Sequence, residues 1–365
     1  METHATDIIV IGGGIAGATA AAHLGATHRV VVLEQEDTAG FHSTGRSAAV
    51  WIQNYGPPDV RAMSGASRAF FETPPPGFTD VPLMSQRPCL FLARPGQEAP
   101  LDQLLADARG LREIPVAEAR AMIPVLRDSY AVRAAIEDDA FDMDVAALHA
   151  GFLRQVRSQG GQIVLGAPVT AIEKGFRVVT PKGAFTAPVV VNASGAWASP
   201  VAAMAGAAAI TITPKRRTAC IVDGPASHDS SRWPLMGDVA DAWYARPEAR
   251  TKLLVSPADA TPTHPHDVQP DELDIATGID RMQEALDLPV RRVEHAWAGL
   301  RSFAPDGSLV IGPDPGLDGF FWMAGQGGYG IQTSPAAGAL LAALVLGRSH
   351  DAVLASRVRP SRFER

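Results

Sequence analysis

At 365 residues with 46% hydrophobic content, the chain is long enough to bury a sizeable core and to divide into two domains. Lysine plus arginine is 32 and aspartate plus glutamate 39, a net charge of −7 that leaves no large basic surface for nucleic acid. The two cysteines, Cys89 and Cys220, lie among apolar residues without metal-ligand spacing, which argues against a disulfide scaffold and for a reducing cytoplasm.

The chain opens on an apolar, β-branched run, Ile8-Ile-Val-Ile11, that ends on Gly12-Gly-Gly14. An alanine-rich helical stretch and a second apolar run, Val30-Val-Val-Leu33, follow, and the latter ends in Glu34. This is the pattern of a strand, phosphate turn, helix and strand. Gly12 permits the tight turn, Gly14 lets the backbone approach a pyrophosphate, and Gly17 allows the helix to pack on the strand. Ile15 and Ala16 open the helix, whose N-terminus presents free N–H groups and a positive dipole end. Glu34, about twenty residues past Gly14, is placed to accept hydrogen bonds from an adenosine ribose and would repel a 2′-phosphate. NAD or FAD remain. Glycines break the first run within a few residues and no basic segment precedes it, so neither a signal peptide nor a spanning helix is expected.

Gln35 begins a polar, glycine-punctuated loop that passes through Thr44-Gly-Arg-Ser-Ala48 into an alanine-rich helical start. It can reach the far side of a dinucleotide, with Arg46 on a phosphate or flavin and Ser47 as a helix cap. Residues 61–71 place Met63, Ala66, Phe70 and Phe71 on one helical face, which Pro74-Pro-Pro-Gly77 terminates. Cys89-Leu-Phe-Leu-Ala93 reads as a strand opening a second sheet, and residues 100–124 as two short helices. The acidic run Glu137-Asp-Asp-Ala-Phe-Asp-Met-Asp144 lacks calcium-loop spacing and reads as helix-start acids before a helix over 144–160.

Strands are expected at 162–165, 169–173 and 189–192, the last running into Ala193-Ser-Gly195, whose small residues let a turn pass close to a flat or anionic ligand. Residues 210–222 form a long strand on which Lys215 and Arg217 share one face and Arg216 takes the other. Residues 241–244 read as a further strand. Thr263-His-Pro-His-Asp267 has no further ligands nearby and reads as a surface loop, so no metal is assigned. An amphipathic helix over 273–286 is followed by a return strand beginning at Arg291 and Arg292. A strand over 320–323 aims at Gly325-Gln-Gly-Gly-Tyr-Gly330, and the buried helix over 333–346 is too short to span a bilayer. Arg357, Arg359, Arg362 and Arg365 read as a frayed, solvated tail.

The glycines with Glu34, then His42-Ser-Thr-Gly-Arg-Ser47, Val191-Asn-Ala-Ser-Gly-Ala-Trp197 and Gly327-Gly-Tyr-Gly-Ile-Gln-Thr333, resemble the FAD-dependent D-amino-acid oxidase superfamily. Within it, the bacterial D-arginine and D-amino-acid dehydrogenases are also similar at Pro214-Lys-Arg-Arg217 and His295-Ala-Trp-Ala-Gly-Leu-Arg-Ser-Phe303. The matched blocks run from Ile8 to Thr333. The resemblance implies an α/β (α+β) fold in which a Rossmann-like FAD-binding domain, residues 1–80, 138–200 and 296–365, is interleaved with a mostly antiparallel-sheet substrate domain, residues 81–137 and 201–295. It implies non-covalent FAD, contacted by Gly12, Gly14, Ile15, Ala16, Gly17, Glu34, Gln35, Thr44, Gly45, Arg46, Ser47 and Ala48. Further contacts are implied from the backbone at Val169, from Asn192, Ala193, Ser194, Gly195 and Trp197, and from Arg301, Gly327, Gly328, Tyr329, Gly330, Ile331, Gln332 and Thr333.

By the same resemblance, Arg217 and Arg301 clamp a substrate carboxylate, Tyr244 hydrogen-bonds the substrate, and Tyr55 covers it. The implied reaction oxidises an amino acid to the imino acid, which water converts to a 2-oxo acid and ammonia, and D-configuration follows from the resemblance. Cys89 stands where the arginine-preferring relative has a glutamate, and Val50 and Ile52 replace polar residues of its loop, so a small or hydrophobic side chain is expected rather than a cationic one. Sarcosine, glycine or a 2-hydroxy acid is the alternative substrate, and a flavin-binding protein without turnover is a second alternative. The electron acceptor is expected to be a quinone or O2. The protein is expected to be a monomer or homodimer without a membrane anchor or nucleic-acid partner, cytoplasmic or at most peripheral to the inner membrane.

Overall fold

A computed structural model describes residues 2–364, so Arg365 of the expected tail lies outside the described residues. Its central sheet has six strands in the order Gln162–Val164, Val30–Leu33, Ile8–Ile11, Val189–Asn192, Phe320–Ala324 and Val310–Pro313. The first five run parallel and the last is antiparallel. Runs such as Ile8–Ile11 and Val30–Leu33 are apolar at every position because both faces of the sheet are covered. Alternation assigns the faces. Ile8 and Val10 pack under the helices Ile15–Gly25, Val145–Ser158 and Gly330–Val345. Ile9 and Ile11 pack with Val178, Phe185 and Phe320 under a second, four-stranded sheet.

An eight-stranded sheet takes strands from two stretches of chain, in the order Val293–Phe303, Thr213–Asp223, Lys252–Ser256, Tyr244–Pro247, Leu235–Asp238, Cys89–Ala93, Arg133–Glu137 and Leu111–Ile114. Its neighbours are antiparallel except Leu235–Asp238 against Cys89–Ala93. Leu90, Met236, Trp243 and Val255 bury one face together with Met282 of the helix Glu272–Ala285. The chain therefore leaves the parallel sheet after residue 33, returns at 162, leaves again after 192 and returns at 310, which gives the expected interleaving. Val293–Phe303 stays in the eight-stranded sheet beyond the expected return at 296. No helix of the described residues is long and apolar enough to cross a membrane.

Several local expectations change. The helical start at Ala48 is instead extended chain leading into the strand Val50–Ile52, because Val50, Trp51 and Ile52 find a partner in Ala140–Met143. That partner occupies half of the acidic run expected to start a helix. Residues 137–140 turn between Arg133–Glu137 and Ala140–Met143, and only Asp144 caps the helix, accepting the Ala147 N–H at 2.8 Å. Between the helices Glu98–Asp107 and Val116–Met122 lies a strand, Leu111–Ile114, set off by Gly110 at φ 72°. The strand expected at 241–244 begins only at Tyr244, because Asp241 turns the chain at φ 59°. The terminal arginines are not a frayed tail. Ala352–Val358 is helical with Asp351 as its cap, and Arg362 bonds Asp306 at 2.7 Å and the Val358 carbonyl at 2.7 Å.

Candidate active site

The first turn, the loop at 40–48, the turn at 193–197, the paired strands Thr213–Asp223 and Val293–Phe303, and the loop at 326–330 enclose one elongated cleft. Its volume is about 1580 Å³ with the open mouth included.

At one end, Gly12 has φ 108°, and a Cβ there would lie 2.5 Å from the Ala193 carbonyl oxygen. The two strand-to-helix turns thus approach as closely as backbone allows. Helix Ile15–Gly25 starts at Gly14, which has no side chain to cap it, and Thr44 Oγ1 accepts the Ile15 N–H at 2.9 Å. Glu34 Oε2 accepts from the Gly13 N–H at 2.7 Å and Oε1 from the Glu36 N–H at 3.0 Å. Burial pushes this carboxyl above its ordinary value, and those N–H donors partly offset the shift. At the other end, helix Gly330–Val345 begins behind Tyr329, again without a side-chain cap, and Gly328, Gly330 and Ile331 line the cleft. Two helix N-termini without a side-chain cap from their own N-cap residues, opening on one apolar-walled cleft, fit an anionic dinucleotide.

The substrate end is built on register. Arg217 pairs with Gly299 and Lys215 with Arg301, so Arg217 and Arg301 lie diagonally across two strands on the same face, about 7–8 Å apart. Arg216 takes the opposite face and pairs with Asp274 at 2.6 Å. Arg217 spends its Nε on the Asp259 carbonyl at 2.7 Å, which fixes the guanidinium plane. Arg301 Nη1 donates to the Tyr55 hydroxyl at 3.1 Å. Burial alone would lower the Arg301 guanidinium, but the oxygens of Tyr55, Tyr244 and Asp241 turn its shift upward. Burial would likewise raise the Tyr244 phenol, yet Arg301 and Arg217 together hold it below its ordinary value. The result is a positive, partly desolvated pocket.

Of the residues expected at the site, Gly12, Gly14, Ile15, Ala16, Glu34, Gln35, Thr44, Ser47, Ala48 and Val169 line the cleft, as do Ala193, Ser194, Gly195, Trp197, Gly327, Gly328, Gly330 and Ile331. Arg217, Tyr244 and Arg301 line it too. Others act from behind. Gly17 packs on the turn, where a Cβ would meet the Gly12 carbonyl oxygen at 1.8 Å, and a Cβ on Gly45 would meet that of Gly40 at 2.7 Å. Asn192 spends its amide on the Ala198 carbonyl at 2.8 Å and the Ser194 hydroxyl at 2.6 Å. Tyr329 bonds the Gly307 carbonyl, Thr333 the Tyr329 carbonyl, and Gln332 the Ser64 hydroxyl and Ile52 backbone, so none of the three side chains is directed at a ligand. Tyr55 does not itself line the cleft, but its hydroxyl meets Arg301 and lies against Gly328, where a Cβ would stand 2.7 Å from it.

Arg46 lines the cleft as well, and its guanidinium also binds the Val268 and Ala298 carbonyls at 2.9 and 3.1 Å and pairs with Asp267, which ties the loop at 40–48 to the eight-stranded sheet. Val50, Ile52 and Cys89, expected to set the pocket's polarity, do not line the cleft, and burial holds the Cys89 thiol well above its ordinary value. Missed among the lining residues are His42, which bonds Glu36 at 2.8 Å with its ring 4.7 Å from Trp197, and Gln326, whose buried Nε2 has no partner. Both sit inside motifs the sequence already displays.

The sequence profile of the DAO family, described as FAD dependent oxidoreductase, matches residues 7–344. The chain belongs to that family. This DAO-family protein is an oxidoreductase with FAD as its cofactor, and the cleft geometry fits that cofactor. Its sequence is 27% identical over 361 residues to a glycine oxidase of Pseudomonas aeruginosa, covering 93% of this chain and 95% of that one. It is also 27% identical over 195 residues to the FAD-dependent oxidoreductase domain-containing protein 1 of Bos taurus, a match that spans 48% of this chain and only 39% of the bovine one. The solved structure of glycine oxidase from Geobacillus kaustophilus superposes with a TM-score of 0.84 at 23% identity, covering 95% of this chain and 96% of that chain, a likeness of fold.

Proposed function

We propose that the protein, with FAD as the two-electron acceptor it would bind, oxidises a small amino acid at Cα to an imino acid that water hydrolyses to a 2-oxo acid and ammonia. The observation that carries this reading is the pair Arg217 and Arg301 on one face of neighbouring strands, with Tyr244 on the same cleft. Two guanidiniums with fixed forks bind a carboxylate through charge-assisted hydrogen bonds and orient its Cα toward the cofactor. FAD, when bound, would supply the oxidising power, and the helix N-termini at Gly14 and Tyr329 together with Glu34 would hold it.

Tyr244 gives the substrate a hydrogen-bonding partner, and Tyr55 braces Arg301 from behind. No side chain is assigned as an obligatory base, since the amine has only to reach the site in its neutral form. The motif resemblance favours a D-amino acid, and the full-length similarity to a glycine oxidase favours glycine or sarcosine. A carboxylate clamp whose cleft has Glu34 as its lining acid, at the phosphate turn, suits both. The purified holoenzyme is therefore expected to release ammonia and 2-oxo acid from glycine or small D-amino acids. Turnover of 2-hydroxy acids alone would replace this reading, and no turnover with any of them would reject it.

A further inference from the structure

The loop carrying Tyr55 is fastened from its far side by groups that the proposed chemistry does not use. The Gln53 backbone N–H donates to Glu137 Oε1 at 2.9 Å, and Asn54 Nδ2 donates to Glu137 Oε2 at 2.8 Å. The same Asn54 amide closes a two-way bond with the Arg109 backbone, Nδ2 to the carbonyl at 2.9 Å and Oδ1 from the N–H at 2.8 Å. On the other side of Tyr55, Arg61 Nε donates to the Gly56 carbonyl at 2.8 Å. Asn54 is 6% exposed and Glu137 1%. Between these anchors the Tyr55 hydroxyl accepts from Arg301 at 3.1 Å.

We propose that Asn54 and Glu137 are positioning residues, a latch that fixes Tyr55 against Arg301 before the substrate arrives. The proposal rests on the reading of Arg217 and Arg301 as a carboxylate clamp. A carboxylate this deeply buried is tolerable only while its oxygens are bonded. Lifting the loop would strand the buried Glu137 carboxylate, so the loop stays down in the free enzyme. A substrate then meets an ordered arginine and does not have to order the loop itself, which tightens binding. Glu137 is not a receptor for a cationic substrate side chain, because both oxygens are turned onto the loop and the residue does not line the cleft.

Acetate titrated into the holoenzyme and followed by flavin absorbance reads the clamp. Glu137→Gln is expected to weaken acetate binding about tenfold and to raise KM far more than it lowers kcat. Tyr55→Phe added to Glu137→Gln is expected to cost little more than either alone, because both act through one contact. Unchanged acetate affinity in Glu137→Gln, or losses that add fully, would overturn the latch. Hydrogen exchange of the unliganded wild-type holoenzyme needs no variant to fold. Protection of the Gln53 and Arg109 amides is expected, and exchange at the free rate would overturn the latch. A wild-type holoenzyme that binds no carboxylate overturns the clamp, and with it the latch's part in binding, even where those amides are protected.

Discussion

Tyr244 is the side chain whose chemistry its neighbours alter most usefully. Burial would raise its phenol, and the two facing arginines reverse the sign. A folded-state value below the ordinary one means that the fold favours the phenolate, so the stabilisation is present above the usual phenol range and lost as pH falls through the lowered value. Arg301→Met should therefore move the Tyr244 titration upward in the tyrosinate difference spectrum. Tyr130, pushed up to about 12 chiefly by burial, should stay where it is. The same variant should raise KM about ten- to hundredfold, the loss of one charge-assisted bond to the carboxylate. An unmoved titration and an unmoved KM would remove Arg301 from the site. Arg217 and Arg301 were legible through the family resemblance, with strand alternation separating Arg217 from Arg216, whereas the tie that Arg46 makes to the second sheet was not. Only the fold reveals that its partners, Asp267 and the Val268 and Ala298 carbonyls, lie more than two hundred residues away in sequence.

At the scale of elements, the phosphate turn depends on what it lacks. A Cβ on Gly17 would sit 1.8 Å from the Gly12 carbonyl oxygen, a backbone atom that cannot swing aside. Gly17→Ala should force helix Ile15–Gly25 off its strand, costing at least about 1–3 kcal/mol of stability. A lowered unfolding midpoint and depleted FAD in the purified protein are the expected readings, and a variant with full FAD and an unchanged midpoint would contradict them. The turn and the parallel strands were readable because a strand covered on both faces is apolar throughout. The stretch that forms Arg133–Glu137 and Ala140–Met143, strands of two different sheets, was not. Its acids include Glu137, whose charge is satisfied by Gln53 and Asn54 from a distant loop, and Asp142, which pairs with Arg87 at 2.7 Å. Local patterning shows a run of acids but not the partners that let them pack in sheets.

At the scale of the molecule, the two sheets meet around the cofactor cleft, and Arg46 is one of the ties between them. Arg46→Met should leave both sheets folded yet speed FAD release, because the loop at 40–48 loses three anchoring bonds while Trp297 Nε1 still holds the Arg46 carbonyl at 3.0 Å. FAD retention equal to that of the wild type would show that the tie is dispensable. The interleaving was legible from motifs spread over most of the chain, whereas the substrate's side chain was not, since Val50, Ile52 and Cys89 sit outside the cleft they were expected to shape. The central claim is that an amino acid held by Arg217 and Arg301 reduces the flavin. Anaerobic mixing of the holoenzyme with glycine, sarcosine, D- and L-amino acids and 2-hydroxy acids, followed by flavin absorbance, tests it most directly. Bleaching by glycine or a small D-amino acid, lost in the Arg217→Met/Arg301→Met double variant, is the predicted result. A flavin that stays oxidised with every amino acid, or that the double variant bleaches equally well, would contradict it.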